Sequence, residues 1–586
     1  MNNPDRVTYF AATDSRGKRT PFGLKAKDRQ RHMYVIGKTG MGKSTVLENM
    51  AIQDIQNGEG LAFIDPHGSA VETLLNYIPK HRIDDVVYFA PFDMEQPIAF
   101  NVMEDVGYDK RHLVVSGLMA TFKKIWEDAW SARMEYILTN TLLALLEYPD
   151  ATLLGVNRMY TDKAYRTKVV DNIKDPVVKD FWTKEFAGYT DRFTQEATPA
   201  IQNKIGQFTG NPLIRNIIGQ PKSSFDIREL MDNKKILLIN LSKGLVGDTN
   251  MRLLGSMLTT RIFLAAMSRA DLPPAELKKA QNFYFYVDEF QNFANDTFAE
   301  ILSEARKYSL NLIIAHQYVE QMEEQVRAAV FGNVGTTVAF RVGPFDAETL
   351  ETMFLPQFTK DDLVSLGLYQ MYLTLMIDGV GSAPFSAVGL PPIEPPRVTF
   401  GKEAIEHSRK QFGAPRTKIE EAIFAELAET AGQSGPVEAP RRQERQDGRQ
   451  NGGQANRQGR QGERPKGEKG RSEGTRPTRQ ENPKGERNER PRPQEARQER
   501  PRPEPEQNSK TAEDLKQILR GMTQTPKKEE QPAPLKSTLA NVLSRGDMGP
   551  KKESKKEPKE KMEESKEAKP FEVPEDTLRS IFNEKL

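Results

Sequence analysis

Short, uninterrupted apolar runs mark the early part of the chain, each closed by a turn former: HMYVIG (32–37), GLAFIDP (60–66) and DDVVYFAPF (84–92). Runs of four to six apolar residues without polar alternation predict strands buried on both faces of a parallel sheet. The rhythm then changes. From 105 to 232 the apolar positions recur every three or four residues, in HLVVSGLMATFKKIW, ARMEYILTNTLLALLEY, DPVVKDFWTKEF and EATPAIQNKIGQFTGNPLIRNII, and predict helices throughout. Strand-like runs return in KKILLINLS (234–242), NFYFYVDEF (282–290), LNLIIAHQ (310–317), GTTVAFRVG (335–343) and QMYLTLMIDG (370–379). The helical MRLLGSMLTTRIFLAAMSRA lies between the first two of these. Alternation of strands and helices predicts an α/β protein with a parallel-rich, doubly wound sheet.

The pattern divides the chain. Residues 1–30 hold an alternating stretch with Gly17 between two arms, expected to form a β-hairpin beside the main fold. Residues 31–104 and 233–400 form the two parts of an α/β domain, interrupted by an all-α insertion at 105–232. Residues 401–432 carry a closing helix in TKIEEAIFAELAE, and 433–586 form a charged tail. Within that tail, residues 441–510 contain no aromatic and no aliphatic residue larger than alanine, and 20 Lys and Arg face 12 Asp and Glu, a net of +8. Such a composition buries too little surface to offset chain entropy, so disorder is expected there.

Composition excludes more than it selects. The 84 basic and 82 acidic residues of the 586 nearly cancel, so net charge does not point to a partner. The absence of cysteine removes disulfides, thiol nucleophiles and thiolate zinc sites. The six histidines lack metal-ligand spacing, so no transition metal is expected. The N-terminal stretch has no signal-peptide core, and no apolar run reaches the roughly 18 residues of a membrane span. A cytoplasmic protein is expected, with any peripheral membrane contact made through a partner.

The chemistry concentrates after three of the predicted strands. The run GKTGMGKST (Gly37, Lys38, Thr39, Gly40, Met41, Gly42, Lys43, Ser44, Thr45) fits a phosphate-binding loop between the strand MYVI and the helix STVLENMAIQDI. Glycines let backbone N–H groups curl around phosphate oxygens, Lys43 reaches the β/γ-phosphates, and the Ser44 hydroxyl can ligate Mg²⁺. The strand FYFYV ends in Asp288-Glu289. Asp288 is suited to the Mg²⁺ shell and Glu289 to activating water, which favours ATP hydrolysis over transfer to a bound hydroxyl. Gln317 ends the next strand, where a neutral amide can sense the γ-phosphate. Arg306, in SEARKYSLNL, and Arg341, ending TTVAFR, are candidate arginine fingers that would act on a neighbouring subunit.

The order GKTGMGKST, IDPHG, INLSKG, YVDEFQNF, EARKYSLNLIIAHQ, GNVGTTVAFRVG resembles the HerA/FtsK superfamily of hexameric DNA-pumping ATPases. Within it the chain looks most like the TraD/TraG-type coupling ATPases of conjugation and type IV secretion, over about residues 20–400. The resemblance implies a RecA-like P-loop NTPase fold carrying an all-α domain. It also implies a homo-hexamer that grips the DNA phosphate backbone without regard to sequence, and relaxosome or secretion-channel proteins as partners. It casts Lys43 and Ser44 as Walker A residues, Asp288 and Glu289 as Walker B residues, Gln317 as sensor and Arg306 as the trans-acting arginine. Asp65 in IDPHG falls near the nucleotide with its role open, and the stretch around Arg133 looks structural. Lys243, in the loop LSKGLVGDTN, is one candidate for DNA contact. Conjugative coupling proteins usually begin with transmembrane helices and this sequence shows none, so two other readings stay open. One is a soluble HerA-like translocase in DNA end processing; the other is an ATP-dependent assembly switch that does not translocate.

The tail adds a small repeat. DLKQIL (514–519), TLANVL (538–543) and TLRSIF (577–582) each place a β-branched residue three positions, and Leu or Phe four positions, after a leucine. On a short helix these share one face, a pattern suited to docking in a partner's groove with avidity from three copies.

Overall fold

The computed structural model describes residues 3–14 and 17–431; the three tail repeats lie outside the described residues. An eleven-stranded sheet organises the molecule, in the order β2-β1-β13-β10-β9-β3-β8-β7-β4-β6-β5. Its strands are β1 (Val7–Thr13), β2 (Pro21–Lys25), β3 (Met33–Ile36), β4 (Gly60–Asp65), β5 (Val86–Phe89), β6 (Ile236–Asn240), β7 (Phe283–Val287), β8 (Leu310–His316), β9 (Thr336–Ala339), β10 (Gln370–Thr374) and β13 (Phe385–Gly389). A two-stranded ribbon, β11 (Met376–Ile377) with β12 (Val380–Gly381), lies between the last two in sequence. From β9 to β5 all neighbours run parallel. β10, β13, β1 and β2 extend the β9 edge in antiparallel fashion.

The predicted two-sided burial of the parallel strands is present: every residue of β3, β4, β6, β7, β8 and β9 is buried. One face is covered by helix α1 (Lys43–Gln56), helix α2 (Ser69–Leu75) and the helix Gly401–Phe412. On α1, Val46, Leu47, Met50 and Ile55 are at most 1% exposed. Burying side chains of that size stabilises by about 1.5–3 kcal/mol each, which seats α1 and the loop that leads into it. The opposite face carries the helices Asp248–Met267, Glu324–Asn333 and Pro344–Phe354, together with the helices between 111 and 232. Those intervening helices do not hold a core of their own: Phe122, Leu142, Phe208 and Ile218 share one continuous cluster with Ile64, Ile239 and Val287 of the sheet.

The hairpin β1–β2 is bolted to the sheet from below. Arg29, 2% exposed, donates to Asp54 of α1 at 2.7 and 2.8 Å, to Thr8 of β1 at 2.9 Å and to the Tyr286 hydroxyl of β7 at 2.8 Å. Its guanidinium also lies 3.6 Å from the Tyr284 ring centroid. The closing segment is two helices rather than one. Gly401–Phe412 covers β5, and Arg416–Ala431 packs Ile419 and Ile423 on Leu154, with Arg158 pairing Glu426 at 2.8 Å. No helix among the described residues is long and apolar enough to cross a membrane.

Candidate active site

Register brings the chemistry to one edge. Ile36 pairs with both His316 and Ala339, and Val287 pairs with both Ile64 and Ile314. The segments that follow β3, β4, β7, β8 and β9 therefore all leave the carboxyl edge of the sheet, where α/β proteins bind ligands. Residues 37–42 cross from β3 to α1. Gly37 passes so close to β9 that a β-carbon there would sit 2.6 Å from Phe340 Cβ, and Gly42 turns into α1 at φ 116°, a conformation that excludes ordinary side chains. The loop is folded around its lysine: Lys43 Nζ donates to the carbonyls of Gly37 at 2.8 Å and Lys38 at 3.3 Å. Burial lowers the Lys43 pKa, opposed by the nearby carboxylates of Glu289 and Asp288.

Asp288 and Glu289 follow β7 and are 4% and 6% exposed. Asp288 Oδ2 accepts the Ser44 hydroxyl at 3.1 Å, and its Oδ1 accepts the Glu289 N–H at 2.9 Å. Burial, with Glu289 and Asp65 beside it, pushes the Asp288 carboxyl up to about 6. Glu289 sits at φ 47°, ψ 50°, a left-handed turn that swings its side chain off the strand direction. Gln317 Nε2 donates to Glu289 Oε1, while Gln317 Oε1 accepts the Thr39 hydroxyl at 3.0 Å. Gln291 Nε2 donates to the other Glu289 oxygen at 2.7 Å. The carboxylate is thus clamped from both sides by neutral amides.

Glu48 and Gln291 are site neighbours that the motif reading passed over. Glu48 lies one helical turn beyond Ser44 on α1, and burial followed by Asp288 and Asp65 pushes its carboxyl up to about 7. The i,i+4 spacing from Ser44 was the available signal. A serine hydroxyl 3.1 Å from a buried carboxyl that its like-charged neighbours push up is a donor pair that suits a divalent cation, and Ser44 with Asp288 would hold it.

The other predicted residues fall elsewhere. Asp65 caps α2, accepting N–H bonds from His67 at 2.7 Å, Ala70 at 2.7 Å and Val71 at 3.2 Å. Arg341 follows β9 next to its own loop, its carbonyl accepting the Lys38 N–H at 2.9 Å. Arg306 is exposed in the turn Ala305–Tyr308 before β8, at the opposite edge of the sheet from residues 37–45. Arg133 is exposed on its helix, whose packing is done by Met134, Ile137 and Leu138. Lys243 opens a one-turn helix, and its amine pairs with Asp248 at 2.5 Å.

A parallel-rich sheet with a lysine-centred glycine loop, a strand-end Asp-Glu pair and a strand-end glutamine defines a P-loop nucleoside-triphosphatase of the RecA-like class. The sequence model of the type IV secretion-system coupling protein DNA-binding domain matches residues 21–355, and the chain belongs to that family. No curated protein matches the chain. Similar solved structures include plasmid coupling protein TrwB with the GTP analogue GDPNP, at 15% identity over 66% of this chain and 96% of that one, TM-score 0.47. TrwB with ADP and Mg²⁺ is 16% identical over 64% and 89%, TM-score 0.47. VirB4 of Thermoanaerobacter pseudethanolicus is 13% identical over 68% and 98%, TM-score 0.42.

Proposed function

We propose that this protein is a Mg²⁺-dependent ATPase that moves DNA through a homo-hexameric ring as the coupling component of a conjugative or type IV secretion system. The chain of hydrogen bonds Thr39–Gln317–Glu289 carries the reading, because it joins the tip of the phosphate loop to the strand-end carboxylate that faces it. In this reading the N–H groups of residues 37–45 and the Lys43 amine bind the triphosphate, Lys43 exchanging its two loop carbonyls for phosphate oxygens. Ser44 and Asp288 hold Mg²⁺, which when bound offsets the phosphate charge and that of the surrounding carboxylates. Glu289 orients the attacking water and takes its proton, and Gln317, whose amide nitrogen carries a second N–H beyond the one given to Glu289, reports on the γ-phosphate.

Arg306 acts in trans in this reading. A seven-residue strand at about 3.3 Å per residue separates it from its own site by roughly 20 Å, whereas an exposed arginine at that edge is free to meet a neighbour's phosphates. DNA is held through its phosphates, so binding weakens steeply with salt. The test is ATP hydrolysis titrated with single- and double-stranded DNA, with Lys43→Ala and Glu289→Gln alongside. Stimulation by DNA that both substitutions abolish supports the motor. A wild-type rate indifferent to DNA removes translocation and leaves an ATP-dependent switch.

A further inference from the structure

Tyr369 is held in a conformation that its residue type disfavours, and among the described residues no hydrogen bond or ion pair of its side chain explains it. It sits at φ 62° in the turn before β10, in the left-handed region that bulky side chains rarely adopt. Its backbone is pinned there, the carbonyl accepting the Gly389 N–H of β13 at 2.9 Å and the next residue closing the turn onto Gly367. The side chain is 48% exposed, and its hydroxyl has no hydrogen-bond partner among the described residues. One contact of the ring is distinctive: a β-carbon on Gly42 of the phosphate loop would lie 3.1 Å from Tyr369 Cδ1 and 3.3 Å from Phe340 Cε1. Strain of this kind persists where surrounding structure imposes it, and it clusters at functional sites.

We propose that Tyr369 is the platform on which the purine ring of the bound nucleotide stacks. The assignment rests on the nucleotide-binding reading of residues 37–45. The flank opposite Tyr369 is already committed to hydrolysis: β8 and β7, on one side of β3, supply Gln317, Asp288 and Glu289. The flank formed by β9 and β10 supplies none of these three residues, and there a half-exposed aromatic ring borders the glycine that leads into α1. A nucleotide whose phosphates occupy the loop has its base outside it, where an aromatic face offers dispersion and removes apolar surface from water. Because stacking reads the π-face and not the hydrogen-bonding edge, it does not single out one base, and the larger two-ring face of a purine makes purine nucleoside triphosphates the ligand class. Tyr369 lies beyond residues 21–355, so the platform belongs to a part of the chain outside the match to the family.

The experiment compares Mg·ATP with Mg·tripolyphosphate, which has the phosphates and no base, by calorimetry on the full chain. Tyr369→Asn is the main variant, since asparagine tolerates the left-handed backbone, and Tyr369→Phe and Tyr369→Trp restore the ring. Tyr369→Asn is expected to weaken ATP binding about 5- to 100-fold and to leave tripolyphosphate unchanged. The two aromatic variants are expected to bind ATP within about threefold of wild type. ATP binding unaffected by Tyr369→Asn, or parallel weakening of both ligands, overturns the assignment, the latter because the ring would then only prop the loop. Lys43→Ala separates the two levels. If it abolishes binding of both ligands, nucleotide binding at the loop stands whatever Tyr369 does; if ATP binding survives it, the underlying reading falls and the platform with it.

Discussion

The side-chain amide of Gln317 donates to Glu289 while its carbonyl oxygen accepts from Thr39, so one residue at the end of β8 touches both halves of the site. A glutamine does this and a glutamate cannot, because one group must donate to a carboxylate while the other accepts from a hydroxyl.

Gln317→Glu is therefore expected to set two carboxylates against each other and lower the rate of ATP hydrolysis by at least about tenfold, with nucleotide affinity within about threefold of wild type. Steady-state kinetics beside equilibrium nucleotide binding check this. Equal losses in affinity and turnover would assign Gln317 to ground-state binding.

The trans role of Arg306 calls for mixing. Arg306→Ala and Glu289→Gln are each expected to lose turnover, by about 10³-fold or more for the arginine. Mixed in one ring, an Arg306→Ala subunit keeps its own Glu289 and meets an intact Arg306 on its Glu289→Gln neighbour. Partial recovery on mixing is the expected result. Activity of the mixture no higher than the mean of the two variants would rule out an arginine shared between subunits.

Asp65 and Asp54 are expected to separate stability from catalysis. Asp65 accepts three backbone N–H bonds at the start of α2, so Asp65→Ala is expected to cost about 1 kcal/mol of stability and leave nucleotide affinity unchanged. Asp54→Ala strands the buried Arg29 charge and is expected to cost about 3–5 kcal/mol. Urea denaturation of both variants, with nucleotide titration of the first, provides the measurement.

Acid sensitivity follows from a histidine away from the phosphate loop. His32 is buried with Nδ1 accepting the Leu312 N–H at 3.1 Å, and burial pulls its pKa down to about 4 from 6.5. In this window the unfolded chain binds the proton and the folded chain does not. The penalty is thus absent above about pH 6.5, grows as pH falls towards 4, and is constant below. His32→Asn keeps an acceptor for Leu312 without the titration. Relative to it, the wild type is expected to lose about 1.4 kcal/mol per pH unit within that window, read from urea midpoints at several pH values. A gap between the two proteins that does not change with pH would mean that His32 is protonated in the fold.

The loop and both strand-end motifs were legible because each depends on a contiguous run: glycines at fixed spacing, and an apolar strand closed by Asp-Glu or Gln. Parallel strands were legible because burial on both faces removes polar alternation. β13 was not, since Phe385–Gly389 is partly exposed, and its pairing with β1 joins the first and last strands of the described fold, Ala11 to Gly389. Gln291 carries no signal of its own in YVDEFQNF, because its partner is fixed only when Glu289 takes the left-handed turn.

The sequence by itself determined which residues could bind and cleave a nucleotide, because backbone freedom at glycine and carboxylate chemistry are local properties. Only the tertiary structure decided which of them meet. Register across β3, β7, β8 and β4 brought Lys43, Ser44, Asp288, Glu289 and Gln317 to one edge, left Arg306 at the other, and turned Asp65 into a cap. It also seated Tyr369 against Gly42, more than 300 residues away in the chain, through hydrogen bonds that no linear pattern encodes.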